Sequence, residues 1–300
     1  MDLSLTRIEA AVDEIDPVFL NTPQFVSDRL SDELGREVLV KVETLNPIGS
    51  FKGRGTSLVA QKLDPTLTWV CETAGNFGQG LAYAARERGA SVQIFVPPSA
   101  PEGKVARMRV LGAEVEVHER PPAAAREYAA AAEGRLLVVD GLDPTIAEGA
   151  GTIGVELAAG APIDTAVIQL GDGALISGVA RWLKSRQPDT RVVGVCASGA
   201  PAMARSFAAG RPISMHGEGT IAGALAISDP VPESLARVLE LVDEVVLVDD
   251  DHIRAAMALI AESVGALVEP AGAAGVAALA RHQEVLTGER VVVLLTGAAA

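Results

Sequence analysis

Cysteine is nearly absent from this chain of 300 residues: Cys71 and Cys196 are the only two, and they lie far apart in separate apolar runs. That excludes a disulfide framework and a cysteine-based zinc site, and it suits a reducing compartment, so a cytoplasmic location is expected. Histidine is also scarce. His118, His216, His252 and His282 are scattered, with no His–His or His–Cys pair at ligand spacing, so no metal site is expected. Positive charge is short too: 25 Lys+Arg against 39 Asp+Glu leave a net charge of −14. Such a surface opposes adsorption to nucleic acid and to anionic membranes, and neither partner is expected. No apolar stretch reaches the roughly 20 residues of a membrane span. The N-terminal segment carries Glu9, Asp13, Glu14 and Asp16 and lacks a basic leader, so it does not read as a signal peptide. A Gly-x-Ser-x-Gly elbow and a Gly-Lys-Ser/Thr phosphate loop are both missing, which removes support for a serine hydrolase and a Walker-type nucleotidase.

What is present is apolar and periodic. With 49% hydrophobic residues and a mean hydropathy of +0.29, the chain can bury a large core in one or two domains. Short β-branched runs at 38–42, 68–71, 91–96, 114–117, 136–139, 166–170, 192–196, 244–248 and 291–295 alternate with alanine-rich segments whose apolar spacing is three and four, such as 78–88, 103–111 and 251–263. That alternation predicts an α/β fold with mainly parallel strands. Residues 68–145 hold four of the runs and are expected to form a small mobile domain beside a large one made of 1–67 and 146–300. Pro97-Pro98 and Pro121-Pro122 are expected to be loops within the small domain.

Lys52 stands out in the run Asn46-Pro47-Ile48-Gly49-Ser50-Phe51-Lys52-Gly53-Arg54-Gly55, between a strand signal and a helix signal. Most lysines in turns are solvated surface groups. This one follows an aromatic residue and is flanked by glycines, where backbone passes close to something, and a lysine amine in such a place can serve as nucleophile or base. Glycine-rich turns follow two strand runs. In Thr73-Ala74-Gly75-Asn76-Phe77 the backbone N–H groups at a helix start near Gly78 could bind carboxylate or phosphate, and in Gly171-Asp172-Gly173-Ala174-Leu175 a second helix start offers a phosphate cradle. Either turn could equally be a plain βα connection. Asp172 would repel a phosphate unless its side chain points away. Thr296, at the end of the last strand run, could bond a buried ligand or merely its local backbone. Glu218 and Glu269 lie in glycine-rich surroundings, where a satisfied turn residue is the commoner role.

Together these segments resemble the fold-type II pyridoxal-phosphate enzymes, and within them the serine/threonine ammonia-lyases, also called threonine dehydratases. The resemblance runs in order from Asn21-Thr22-Pro23 through the Lys52 motif and Thr73-Ala74-Gly75-Asn76. It continues with Gly149-Ala150-Gly151-Thr152-Ile153-Gly154, the loop from Gly171 to Leu175, Glu269-Pro270-Ala271-Gly272-Ala273 and Thr296-Gly297. It implies a tryptophan-synthase-β-like fold of two open, twisted, mainly parallel sheets flanked by helices, and pyridoxal 5′-phosphate as cofactor. Lys52 would hold the cofactor as a Schiff base, with Phe51 beside it and Asn76 at the ring's phenolic oxygen. Gly171, Asp172, Gly173, Ala174 and Leu175 would wrap the phosphate, and Thr296 would meet the pyridine nitrogen. Thr73, Ala74, Gly75 and Phe77 would receive the substrate. The implied reaction is β-elimination from threonine or serine to a 2-oxo acid and ammonia, with Lys52 as the Cα base, in a homodimer.

The chain departs from the family pattern at several positions. Asp172 and Ala174 interrupt the usual run of glycines, Phe77 stands where histidine is usual, Gly223 replaces a frequent cation-binding aspartate, and Ala298-Ala299 replace a Gly-Asn tail. Racemases of the family carry serine where this chain has Ala74, so racemisation is disfavoured, and with residue 300 as the last one no C-terminal regulatory domain is expected. Two further readings remain at this point: another fold-type II activity, such as a threonine-synthase-like enzyme or a lyase of other β-substituted amino acids, and a cofactor-binding relative with little catalysis. A nicotinamide dehydrogenase is argued against by the glycine spacing.

Overall fold

The computed structural model describes residues 1–215 and 219–299, so His216 and Glu218 lie outside the described residues. Ten strands run in chain order: β1 (Gln24–Val26), β2 (Glu37–Val42), β3 (Thr68–Glu72), β4 (Ser91–Val96), β5 (Glu114–Val117), β6 (Arg135–Leu137), β7 (Thr165–Gln169), β8 (Arg191–Ala197), β9 (Glu244–Val248) and β10 (Arg290–Leu295). The helices are α1 (Leu5–Glu14), α2 (Asp28–Leu34), α3 (Lys52–Ala60), α4 (Asn76–Arg88), α5 (Glu102–Val110), α6 (Pro121–Ala130), α7 (Pro144–Ala158), α8 (Ala174–Arg186), α9 (Ala202–Ala209), α10 (Pro232–Leu241), α11 (Asp250–Val264) and α12 (Pro270–Arg281). They organise two sheets, one of six strands in the order β1-β2-β10-β7-β8-β9 and one of four in the order β5-β4-β3-β6. Among the described residues the strands of these sheets pair in parallel except β1 with β2.

Alternation along the strands explains why both faces of the large sheet are covered. In β10, Val291, Val293 and Leu295 pack with α11 and α12 residues such as Ile253 and Val276, while Val292 and Leu294 face the opposite core with Ile153 of α7 and Ile176 of α8. A strand buried on both faces reads as an unbroken apolar run, which is how β7, β8 and β10 appear in the sequence. In the small sheet, Val70 and Phe95 pack on α6, and Trp69, Cys71, Ile94 and Val96 lie in the main core with Leu81 of α4 and Met108 of α5.

Two local expectations need correction. Pro121-Pro122 is not a loop: Pro121 opens α6, where proline's missing N–H costs nothing because a first-turn N–H has no intrahelical acceptor. The helix after Gly75 begins at Asn76 rather than near Gly78. Strand β1 has no counterpart in the sequence reading, since three residues are too short to show a period. It pairs antiparallel at the edge of the large sheet, with Phe25 opposite Val40.

Candidate active site

The carboxyl ends of three adjacent strands meet at one place: β2 leads to the Lys52 loop, β10 ends at Thr296, and β7 runs into the turn from Gly171 to Leu175. Ligands of open α/β sheets bind outside such strand ends. Between β2 and α3 the chain is turned by Asn46, whose Oδ1 accepts from Ile48 N (3.2 Å) and Ser50 N (3.3 Å) while its Nδ2 donates to Glu43 O (2.9 Å) and Ser50 O (3.1 Å). Gly49 takes a left-handed φ of 65° in that turn. Phe51 N then donates to Thr296 O at 3.1 Å, which fastens the start of α3 to the end of β10.

Every residue of α3 is buried, although two of them are charged. Glycines permit this: a Cβ at Gly55 would lie 2.6 Å from the Ile146 carbonyl of α7, and one at Gly53 would enter the ring of Phe19. Arg54 fills the space behind the helix. Its guanidinium pairs with Glu43 (2.8 and 2.9 Å) and Glu156 (2.6 and 3.0 Å) and also donates to Thr22 and Thr152 hydroxyls, both at 3.0 Å. Lys41 adds a second cation, 2.5 Å from Glu156.

Lys52 faces the other way, toward the strand ends. Its Nζ lies 2.5 Å from Asp140 Oδ2 and 2.9 Å from Asp172 Oδ2, with the ring centroids of Phe51 and Phe77 at 5.0 and 5.9 Å. Burial favours the neutral amine, but the two carboxylates outweigh it and raise the lysine above its usual range. Asp172 also accepts from Ala174 N at 2.7 Å, so it caps the first turn of α8 and pairs with the lysine at once, and the lysine holds it below its ordinary value despite burial. Asp140 is different. Burial, then the charge of Asp172, push it up to about 7 against the pull of Lys52, and its Oδ1 is buried with no hydrogen-bond partner among the described residues.

A second cluster closes the site from the α4 side. Asn76 Nδ2 donates to Glu269 Oε1 at 2.7 Å, and the other carboxylate oxygen of Glu269 pairs with Lys104 of α5. Lys104 lies along Gly75, where an added Cβ would stand 2.6 Å from its Cδ. Gly75 N donates to Thr73 Oγ1 at 3.0 Å, which fixes the turn before α4.

The structure therefore brings Lys52, Phe51, Phe77, Asp172 and Thr296 together at the strand ends, with Gly171, Gly173, Ala174 and Leu175 at the start of α8. Thr73, Ala74 and Gly75 form the turn after β3, and Asn76, which opens α4, reaches across to Glu269 beside Gly297. Four of the groups were not expected in these roles. Glu269 is no ordinary turn residue, being a buried bridge between Asn76 and Lys104, and the side chain of Asp172 turns to the Lys52 amine. Asp140 and Lys104 carry no motif. Asp140 could have been suspected only because it follows a strand run, the position that supplies ligand loops in this fold class.

Known proteins resemble this chain over nearly its whole length. The profile of the family described as pyridoxal-phosphate dependent enzyme matches residues 15–297. An L-threonine ammonia-lyase of Thermotoga maritima is 33% identical over 98% of this chain and 75% of its own length. Among solved structures, a threonine deaminase from T.th. superposes with a TM-score of 0.92 at 30% identity, covering 99% of this chain and 98% of that one. Maize serine racemase superposes with a TM-score of 0.93 at 27% identity, over 100% of this chain and 94% of that one.

Proposed function

The chain belongs to the pyridoxal-phosphate dependent enzymes, with the fold of type II, and from that premise we propose that it is an ammonia-lyase converting threonine or serine to a 2-oxo acid and ammonia. The residues present fit the cofactor. Lys52 offers a buried amine for its aldehyde, and α8 offers first-turn N–H groups for its phosphate: Ser177 N bonds back to Gly173 O, whereas Leu175 and Ile176 N–H have no intrahelical acceptor. Gly173, at a φ of 98°, sits where a Cβ would collide with Ser234 Oγ, so the turn leaves no room for a side chain beside the cradle.

Bound there, pyridoxal phosphate supplies the electron sink that lets a Cα–H bond break. The protein does the rest. Lys52 would hold the cofactor's aldehyde and, as a free amine, would accept the Cα proton at Nζ. The turn from Thr73 to Phe77, at the N-terminus of α4, receives the substrate carboxylate through backbone N–H groups, with the Lys104–Glu269 pair behind it. Phe51 and Phe77 exclude water from the amine. The hydroxyl leaves from Cβ, and hydrolysis yields the 2-oxo acid and ammonia. The side chain of Ala74, which carries no ionisable group, supports elimination over racemisation, because it offers no base on that side.

The observation that carries this reading is the placement of Lys52 Nζ between two carboxylates at the meeting point of three strand ends. Release of 2-oxo acid from a panel of amino acids tests it: threonine and serine should react, and release from neither would reject it. Two finer points complete the proposal. The free, buried cysteines support a cytoplasmic location. Exposed Phe25, Leu45 and Leu267 at 42%, 69% and 73% border one hollow on the β1 edge and support a homodimer, which sedimentation of Leu267→Asp would break into monomers. Among the described residues no helix is long and apolar enough to cross a membrane.

A further inference from the structure

Lys52 must become neutral before it can act, because only an amine with a free lone pair attacks a carbonyl. In this chain it sits as an ammonium between two carboxylates, so its proton needs an acceptor within the site. Of the two candidates, Asp172 is committed. Its Oδ1 accepts from Ala174 N, a bond that favours the ionised form, so protonating it would weaken its hold on the first turn of α8. Asp140 stands free to take a proton: Oδ2 touches Nζ, and Oδ1 is buried and unpartnered among the described residues.

The groups around Asp140 favour the same direction. It faces Lys52 from α3, Asp172 from the turn before α8, and Glu72 at the end of β3, itself held above its usual range by burial. Once Lys52 is neutral, the one cation among them is gone and two carboxylates favour the protonated acid. The neighbouring thiol of Cys71 is pushed far above neutrality and does not compete. The turn is held from outside by Arg237 of α10, which donates to Gly141 O (3.1 Å) and Leu142 O (3.0 Å) and pairs with Asp2. Asp140 is thereby fixed opposite Nζ without losing its free oxygen.

We propose that Asp140 is the catalytic proton acceptor for Lys52: it takes one Nζ proton on Oδ2 as the amine attacks a carbonyl carbon, and returns it later in the cycle. The balance closes. One hydrogen of the ammonium passes to Asp140, a carbon–nitrogen double bond forms, and the carbonyl oxygen leaves with the other two hydrogens as water. This rests on the reading of Lys52 as the cofactor anchor.

The test follows cofactor capture rather than turnover. Protein stripped with hydroxylamine is mixed with pyridoxal phosphate, and the rise of visible absorbance is timed across pH, with borohydride reduction and peptide mass locating the attachment. For the native chain the capture rate should rise with pH and level off near neutrality, where Asp140 has ionised. Asp140→Asn should capture on the order of 10²-fold more slowly, with a rate that keeps rising tenfold per pH unit and no plateau. Asp140→Glu should restore the plateau, and Asp172→Asn should keep it. Asp140→Ser provides the same reading where the amide variant does not fold. Equal rates and profiles for native chain and Asp140 variants would overturn the proposal. Absence of any Lys52-linked absorbance in the native chain would instead reject the anchor reading itself.

Discussion

Two ionic clusters hang from the same buried helix, two residues apart, and they differ in balance. Around Arg54, two cations (Lys41 and Arg54) meet two carboxylates (Glu43 and Glu156), and threonine hydroxyls take up the remaining guanidinium donors. Around Lys52, one cation meets two carboxylates and one buried oxygen stays unpaired among the described residues. Burying charge is costly unless every group is paired, and the first arrangement pairs each of its charges, as a scaffold requires. Burial pulls Arg54 toward its neutral form, but the carboxylates of Glu43 and Glu156 outweigh it and hold the guanidinium above its usual range. The second holds a surplus negative charge beside the Lys52 amine, and proton movement relieves it. Charge imbalance and an unsatisfied oxygen, more than burial alone, therefore separate a chemical site from a structural ion pair.

The contrast is most exposed to test on the scaffold side. Arg54→Met leaves Glu43 and Glu156 without their main counterion and should lower the stability of the cofactor-free protein by about 3–5 kcal/mol in urea unfolding; a loss below about 1 kcal/mol would show the cluster is not a scaffold. Next comes the bridge at the site. Glu269→Gln leaves Lys104 without its charge partner and should cost about 1–3 kcal/mol, appearing mainly as a higher KM for the amino acid. An unchanged KM would remove the bridge from substrate binding. A third effect is a slope. Between the usual carboxylate value of 3.8 and about 7, folded Asp140 keeps a proton that the unfolded chain has lost, so raising pH through that window should weaken the cofactor-free fold. The slope is at most about 1.4 kcal/mol per pH unit, and Asp140→Asn should flatten it in thermal unfolding scans. The smallest belongs to a pair in water: Arg86 and Glu87 lie 3.1 Å apart with both side chains about half exposed, and Glu87→Ala should change stability by less than about 1 kcal/mol.

Much of the fold was legible because it depends on local patterning. Nine of the ten strands among the described residues appear as apolar runs, and the two glycine-rich turns follow β3 and β7 in sequence. Thr73 to Phe77, Gly171 to Leu175 and Thr296 were readable for the same reason, each stretch starting within two residues of a strand end, and Lys52 was readable through its motif between β2 and α3. The partners were not. Asp140 meets Lys52 across 88 positions and Lys104 meets Glu269 across 165, contacts created only when the two sheets face each other. Asp172 marks the boundary between the two cases. Its presence in the cradle was plain, but whether its carboxylate turned toward the amine depended on Ala174 N and Lys52 lying within reach together.

The proposed division, with Lys52 as cofactor anchor and Arg54 as scaffold, can be measured directly. Purified native chain, Lys52→Ala and Arg54→Lys are each saturated with pyridoxal phosphate, reduced with borohydride, and examined by visible absorbance and peptide mass. The native chain and Arg54→Lys should carry the cofactor on Lys52, and Lys52→Ala should fold but carry none. Cofactor covalently retained by Lys52→Ala, or a native chain that carries it on another lysine, would contradict the assignment of the reactive amine.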